Sequence, residues 1–440
     1  MIKNMNKVIQ LTVLNVFILL PAAASSDNHE FEDAADLRAS DILPADLLSG
    51  GHHSVEELVR NDGYLNYYSI KSDYGEFEAI STQMVRTRVG EINALAELDE
   101  LTKTEVFAKA AVDAGVGQVK AIAQFATNPV ETVVGIPSGI GRMFKRFKRQ
   151  AGEAVDTTQE FVAGDDEEAG DGEEDDEYEE DAESTTDKAV GLTESVMGVS
   201  GAQRAWSQKL GTDPYSSNEV LQAAIKEFAW AEKLGSFGMG FAGIPSIPGA
   251  NIIGDVNEAV WSKDPYELQD LNRARLVATG ADEELIEEYV NNPKMTPSQQ
   301  TLLTAAIAEI VDADGREGIL RQALNVETEA EANFLIKSVT MMAWYHINRA
   351  PVTSVMTYAA IPVGFTDDGT AAFLFAVDHV YWTDTIAEAA GNHAAQSGAD
   401  SDSEIWLLGT ASERTKTELD RLGFSVQENV ASMMMPAPSS

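Results

Sequence analysis

Hydrophobic and polar positions change rhythm several times along the chain. Tyr64 to Ile70 is aromatic and β-branched, Lys71-Ser-Asp-Tyr-Gly75 is turn-like, and Glu76 to Ile80 alternates, which predicts a β-hairpin. From Thr82 the period becomes helical. Val85, Val89, Ile92 and Ala96, with Leu95, Leu98 and Leu101, recur at three- and four-residue spacing. Val106, Phe107, Ala110, Ala111 and Ala114, then Val119, Ile122 and Phe125, predict a second helix, bent at Gly115 and Gly117 and ended by Asn128-Pro129. From Ser138 a third helix places Ile140, Met143, Phe144 and Phe147 on one face. Before the hairpin, Ser54 with Glu57 reads as a capping box for a short helix. Residues 25–50 are polar and without period, which reads as a flexible linker.

The second half is dominated by helical spacing. Ser217 or Asn218 caps a helix to about Leu234, and helices are predicted near 265–279, 281–291, 297–312, 315–324 and 328–347. Thr296-Pro297 is a cap and first-turn pair. Gly235 to Gly254 is apolar and rich in Gly and Pro, which rules out a regular helix. From Pro351 the pattern turns to strands. Val352 to Pro362 and Thr370 to Val377 are joined across Asp367-Asp368-Gly369. Thr383 to about Gln396 is helical. Glu404 to Leu408, a helix opened by Thr410-x-x-Glu413 and closed at Leu422-Gly423, and Phe424 to Glu428 form a β-α-β unit with a parallel pair.

These elements predict a predominantly helical α+β fold. The expected order is a signal peptide at 1–24, a flexible linker at 25–50, and a hairpin-plus-helices domain at 51–160. A disordered acidic linker at 161–189, a helical domain at 190–350, a small α/β domain (ββαβαβ) at 351–430 and a frayed tail at 431–440 follow. The only internal repetition is Gly-Ile-Pro-Ser at 135 and 243, too short to define a repeat.

Composition adds the compartment. Lys3 and Lys7, the short apolar stretch Val8 to Leu20, and Pro21-Ala22-Ala23-Ala24 read as a cleavable secretory signal, which predicts a periplasmic or extracellular protein. The stretch is short of the roughly 20 residues of a spanning helix. The chain has no Cys, so disulfides, cysteine zinc sites and an N-terminal lipid-modified cysteine are excluded. Against 31 Lys and Arg stand 72 Asp and Glu, a formal charge of −41. The excess is spread over the whole chain and reads as an acidic, solubilising surface rather than a device for one cationic ligand. A nucleic acid is not an expected partner, because phosphate backbones require a basic footprint.

Charge also reverses sharply. Gly141 to Arg149 carries five positive charges in nine residues, and Asp165 to Glu183 carries fourteen acidic residues in nineteen positions. Arg142, Lys145, Arg146, Lys148 and Arg149 surround the face bearing Met143, Phe144 and Phe147. Arg142 to Arg149 is therefore the candidate contact with an anionic membrane or a protein partner, the rings inserting and the cations meeting head groups. The plain alternative is an ordinary amphipathic helix packed on its own domain. The polyanion can compete for the same cations, forming an electrostatic latch within the chain.

Other motifs are weaker on inspection. Gly238-Met-Gly240-Phe-Ala-Gly243 fits G-x-G-x-x-G, but a helical pattern precedes it and Pro245 and Pro248 follow, where strand and helix are required. Asp312-Ala-Asp314-Gly315 resembles a calcium loop but has Arg316 at a ligand position and no Glu closing it, so a helix–helix turn is expected. His52-His53 beside Glu56 and Glu57 is short of a metal site's ligand number. His346, Asp378, His379 and His393 lie in or near the C-terminal domain, with Asp378 and His379 on opposite faces of a strand. Ser412 sits at a helix start and reads as a cap. No catalytic, cofactor-binding or metal-ligating residue is assigned, and no cofactor is expected.

Asp73-Tyr-Gly-Glu-Phe-Glu78, Arg86 to Phe125, Asn128 to Arg142, and Leu407-Leu-Gly-Thr410 with Leu422-Gly-Phe424 resemble stretches of a family of secreted or envelope bacterial proteins with no assigned activity. The resemblance implies an envelope location and carries over no functional residue. The expected function is a non-catalytic envelope interaction or scaffold protein, touching membrane through the basic helix. The alternatives are an envelope enzyme whose site assembles only in three dimensions in the C-terminal domain, and a secreted effector.

Overall fold

The computed structural model describes residues 31–104, 199–229, 256–358, 361–396 and 402–434. Four short elements open it: β1 (Leu37–Arg38), α1 (Ala39–Ile42), α2 (Ala45–Leu48) and β2 (His53–Val55). They are followed by β3 (Leu58–Asn61), β4 (Asn66–Ser72), β5 (Gly75–Ile80) and the long α3 (Thr82–Thr102). The expected hairpin is β4–β5, antiparallel from Tyr67 opposite Ile80 to Ser72 opposite Gly75. β2 and β3 pair with successive halves of the other edge of β4. Along β4, Asn66, Tyr68 and Ile70 are buried and Tyr67 and Ser69 exposed, the alternation of a sheet with one covered face.

Two expectations fail in this region. Ser54 does not cap a helix; it lies in β2, opposite Lys71. The His53-x-Val55 alternation, buried on both counts, wins over the local capping pattern because β4 offers a ladder for it. Part of the expected linker is also packed. Ala39, Leu43 and Leu47 are buried in the same core as α3, so this polar stretch has an apolar residue every fourth position and uses it.

α3 lays Val85, Ile92, Leu95 and Leu98 on the sheet, with Ser81 accepting from Met84 N at its start. The chain returns at Val199 with α4 (Gly201–Leu210) and α5 (Glu219–Phe228), whose Trp206 and Phe228 pack edge to face at 5.8 Å in the α3 core. Asn218 is the cap of α5, one of the two expected residues.

A helical layer follows: α6 (Val256–Ser262), α7 (Pro265–Ala278), α8 (Glu283–Val290), α9 (Pro297–Glu309), α10 (Glu317–Leu324) and α11 (Glu329–Asn348). The five helices from α7 onward match the sequence expectation closely. α9 is buried on every side from Pro297 to Ile307 and forms the axis of this layer. The last part carries β6 (Val352–Tyr358), β7 (Ile361–Thr366), β8 (Ala371–Phe375), β9 (His379–Val380), α12 (Asp384–Gln396), β10 (Ser403–Leu407), β11 (Thr410–Ala411), α13 (Glu413–Arg421), β12 (Phe424–Gln427) and α14 (Ala431–Met434). The main sheet runs β12-β10-β8-β7-β6, with β8, β10 and β12 parallel and β6 and β7 antiparallel. The fold is therefore mixed α+β with a large helical share, as expected. The stretch expected as one strand from Val352 to Pro362 is two, β6 and β7, paired with Tyr358 opposite Ile361.

Cores and sequence segments do not coincide. Met341, Met342 and Tyr345 of α11 share a buried cluster with Val352, Ala372, Leu374 and Trp406, so the helical layer and the C-terminal sheet have one core in common. α4 and α5 belong to the N-terminal core instead. A helix with apolar residues on several faces can serve either neighbour, and only packing chooses.

The Asp312–Gly315 segment is a turn between α9 and α10 that also pairs with the sheet edge. Asp314 N donates to Thr353 O at 2.9 Å and Val355 N to Asp314 O at 2.7 Å. Gly315 has φ +78°, and a Cβ there would lie 2.3 Å from Val355 O. Gly315→Ala is expected to cost about 1–3 kcal/mol in urea unfolding. Gly369→Ala, at φ +88° with open space around its Cβ position, is expected to cost less. Equal losses would reject the steric account.

Candidate functional site

A group of buried and half-buried polar side chains lies where α3, the α4–α5 connection, the start of α9 and the start of α11 meet. α3 supplies Arg88 and Glu91 on one face, three residues apart. Arg88 Nη1 donates to Glu91 Oε2 at 2.8 Å, and Nη2 donates to Glu329 Oε2 of α11, also at 2.8 Å. Ser217 Oγ donates to the other oxygen of Glu329 at 2.6 Å and accepts from Arg88 Nη2 at 3.2 Å. Asn218 Nδ2 donates to Glu91 at 2.9 Å, and Ser216 Oγ donates to its second oxygen. Burial alone disfavours the guanidinium charge, but Glu91 and Glu329 outweigh it and hold the pKa of Arg88 above its ordinary value.

Beside this network is a partly open cavity of about 70 Å³, lined by Asp213, Ser298, Glu329, Asn333 and Lys337 among others. Asp213 follows Gly211, whose left-handed conformation ends α4 and turns the chain toward α9. Its Oδ1 accepts from Ser298 Oγ at 2.5 Å and from Tyr215 N at 2.8 Å. Burial pushes this carboxyl up to about 6, against the hydrogen bonds from Ser298 and Tyr215. Burial pushes the Lys337 ammonium down to about 8, against the attraction of Asp378 and Glu329. Both residues keep some accessible surface and line the cavity.

Of the residues singled out in the sequence, Asp378, His379 and Ser412 come together around the paired β9 and β11, whereas His346, His393, His52 and His53 make their contacts elsewhere. Asp378 accepts from Thr82 N, the first amide of α3, and from Asn66 N, both at 3.0 Å. Burial raises its pKa, and those two amides oppose the rise. Asp378 lies at a bend just before β9 rather than in a strand, so the expected placement on opposite strand faces does not apply; His379 opens β9 and its Nδ1 meets Thr410 Oγ1 at 2.7 Å. His346 Nδ1 accepts from Val352 N at 3.0 Å. His393 is buried between Phe373 and Phe424 with Nε2 3.2 Å from Ser403 Oγ. Ser412 caps α13 through Thr415 N and donates its hydroxyl to Glu32 at 2.5 Å. His52 pairs with Asp73 on the surface, while His53 is buried with Nε2 3.2 Å from Leu47 O. Among the described residues, no three His, Asp or Glu side chains are placed to hold a metal, and no helix is long and apolar enough to cross a membrane.

Arg142, Met143, Phe144, Lys145, Arg146, Phe147, Lys148 and Arg149 lie outside the described residues. So do the acidic run, the Gly238–Gly243 motif and the signal segment. Asp213, Ser298 and Lys337 escaped the sequence reading. Each sits in an ordinary helical or capping pattern, and only the meeting of α9, α11 and the α4–α5 connection gives them a common cavity. The one available signal was polar residues, Ser298 and Gln299 to Thr301, inside an otherwise apolar helix. Compared with protein-family models, curated proteins and solved structures, the chain matches none.

Because the folded pKa of Asp213 stands above its ordinary value, its contribution to stability is complete at low pH and is lost as pH rises through about 6. Asp213→Asn keeps an acceptor for Ser298 and Tyr215 but cannot ionise. Its melting temperature relative to wild type is expected to rise between pH 5 and pH 7.5. A difference that stays flat with pH would reject the assignment. Arg88→Leu leaves Glu91 buried without its cation and is expected to cost about 3–5 kcal/mol in urea unfolding. Arg321→Leu, at an exposed pair with Glu317, is expected to cost less than about 1 kcal/mol.

Proposed function

We propose that the protein is a non-catalytic interaction or scaffold protein of the bacterial envelope that contacts anionic membrane through Arg142 to Arg149. The observation that carries this reading is the charge reversal, five cations in nine residues followed by fourteen acids in nineteen. A juxtamembrane cation contributes about 1 kcal/mol at an anionic surface. Five such charges exceed what Phe144 and Phe147 add by insertion, so charge dominates the affinity. The placement of His346, Asp378, His379 and His393 supports the same reading, since each makes a separate contact that fixes the fold. The acidic run competes for the cations and acts as a latch opened by salt, divalent cations or lipid.

Co-sedimentation with vesicles of phosphatidylcholine containing anionic phosphatidylglycerol tests the reading. Replacing Arg142, Lys145, Arg146, Lys148 and Arg149 with Gln is expected to abolish binding, and deleting 165–183 to strengthen it. Binding that ignores the Gln replacements would overturn the membrane contact; binding that ignores the deletion would overturn the latch.

A further inference from the structure

Residues 32–36 have no regular structure, yet they link two parts of the fold. Leu37 and Arg38 of β1 pair with β3 of the N-terminal sheet, while Glu32 is fastened to the C-terminal part. Glu32 N donates to Trp382 O, and Glu32 Oε2 accepts from Trp382 N, both at 2.7 Å. The same carboxylate oxygen accepts from Ser412 Oγ at 2.5 Å. Between the two anchors, Asp33, Ala34, Ala35 and Asp36 make no hydrogen bond to a described residue, and Ala34 alone among them is partly buried. The first fully buried residue of the described chain is Ala39. Little apolar surface therefore holds the segment, and its attachment to the C-terminal part rests on one residue. A segment with few buried contacts and an exposed backbone opens locally, at a free energy below that of global unfolding.

The receiving surface selects its occupant. Trp382 offers a backbone donor and a backbone acceptor together, as a strand edge does to an added strand. Ser412 caps α13, so the carboxylate lies at the positive end of a nine-residue helix. Lys416, one turn along, is already held by Glu413 and Glu428. The chemistry that fits is an extended peptide with an acidic side chain. Its backbone N–H meets Trp382 O, and its own carboxylate turns back to Trp382 N and Ser412 Oγ. An acidic peptide from outside can make the same three bonds, so it competes with residues 31–36 for one place. The resident segment has the advantage of being tethered, which raises its effective concentration.

We propose that Trp382 and Ser412 form a docking site for an extended acidic peptide of a partner protein, and that residues 31–36 occupy it in the free chain as a detachable strap clasped by Glu32. The inference does not depend on the membrane reading, and vesicle binding and peptide binding decide different questions. Amide hydrogen exchange of the wild-type chain tests the strap. The Trp382 amide is expected to exchange at least tenfold faster than the amides of β8, at a rate that low urea leaves unchanged. Exchange at Trp382 as slow and as urea-dependent as in β8 would overturn a detachable strap. Fluorescence anisotropy tests the docking with a labelled peptide of residues 29–36. It is expected to bind the full-length Glu32→Ala variant saturably, and the wild type at least tenfold more weakly because the tethered strap competes. The same peptide carrying Glu32→Ala is expected to bind the variant at least tenfold more weakly. Circular dichroism establishes that the variant is folded; if it is not, Glu32→Gln, which keeps an acceptor but no charge, takes its place. No saturable binding to the variant, equal binding to variant and wild type, or equal binding of the substituted peptide would each overturn the docking site.

Discussion

Arg88 stands between two carboxylates from different parts of the chain, Glu91 on its own helix and Glu329 on α11, and this buried network is the joint between two hydrophobic cores. One core belongs to the N-terminal sheet with α3, α4 and α5; the other to the helical layer and the C-terminal sheet. Removing the charges of Arg88 and Glu91 from water is expensive, and their attraction offsets that cost only with good geometry and saturated lone pairs. Both conditions are met by the fork of Arg88 and the hydroxyl and amide donors of Ser216, Ser217 and Asn218. A small shift at this joint would separate Arg88 from Glu91 or Glu329.

A second seam reinforces the first from the C-terminal side. The chain leaving the parallel strand β8 runs along the β3–β4 turn. Asp378 N and Tyr381 N donate to Tyr64 O and Gly63 O, both at 2.9 Å, and Asn61 Nδ2 donates to His379 O. The Asp378 carboxylate then closes the start of α3, where a negative charge favours the helix end. Glu32 joins from the other side, accepting from Trp382 N and Ser412 Oγ. Loops beyond the carboxyl ends of parallel strands are common ligand sites in α/β folds. Here they hold the N-terminal sheet, and the polar groups of Asp378, His379 and Ser412 are used in that fastening.

The cavity beside the joint follows from the same constraint. Arg88 and its partners fix how closely α3 approaches α9 and α11, and the remaining space is lined by whatever those helices present. Its lining is polar, with Asp213, Ser298, Asn333 and Lys337 among its residues, and it is partly open.

Local rules were enough for much of this architecture. The β4–β5 hairpin, α3, the helices from α7 to α11 and the parallel β10–β12 pair all declare themselves by period and capping, because their hydrophobic spacing and end signals act within a few residues. Residues 37–48 and β2 did not. Their apolar positions are sparse, and partner strands supplied the order that propensity lacked. Chemistry was less legible still. His346, Asp378 and His393 stood out by residue type, yet tertiary contacts turned each into a fastening. Asp213, Ser298 and Lys337 were inconspicuous, and three-dimensional packing alone brought them to one cavity. The sequence by itself determined the elements, the acidity and the sharp charge reversal, since these depend on neighbours in the chain. Tertiary structure decided which helices share a core and which carboxylates are buried and paired, because desolvation and ion pairing depend on neighbours in space.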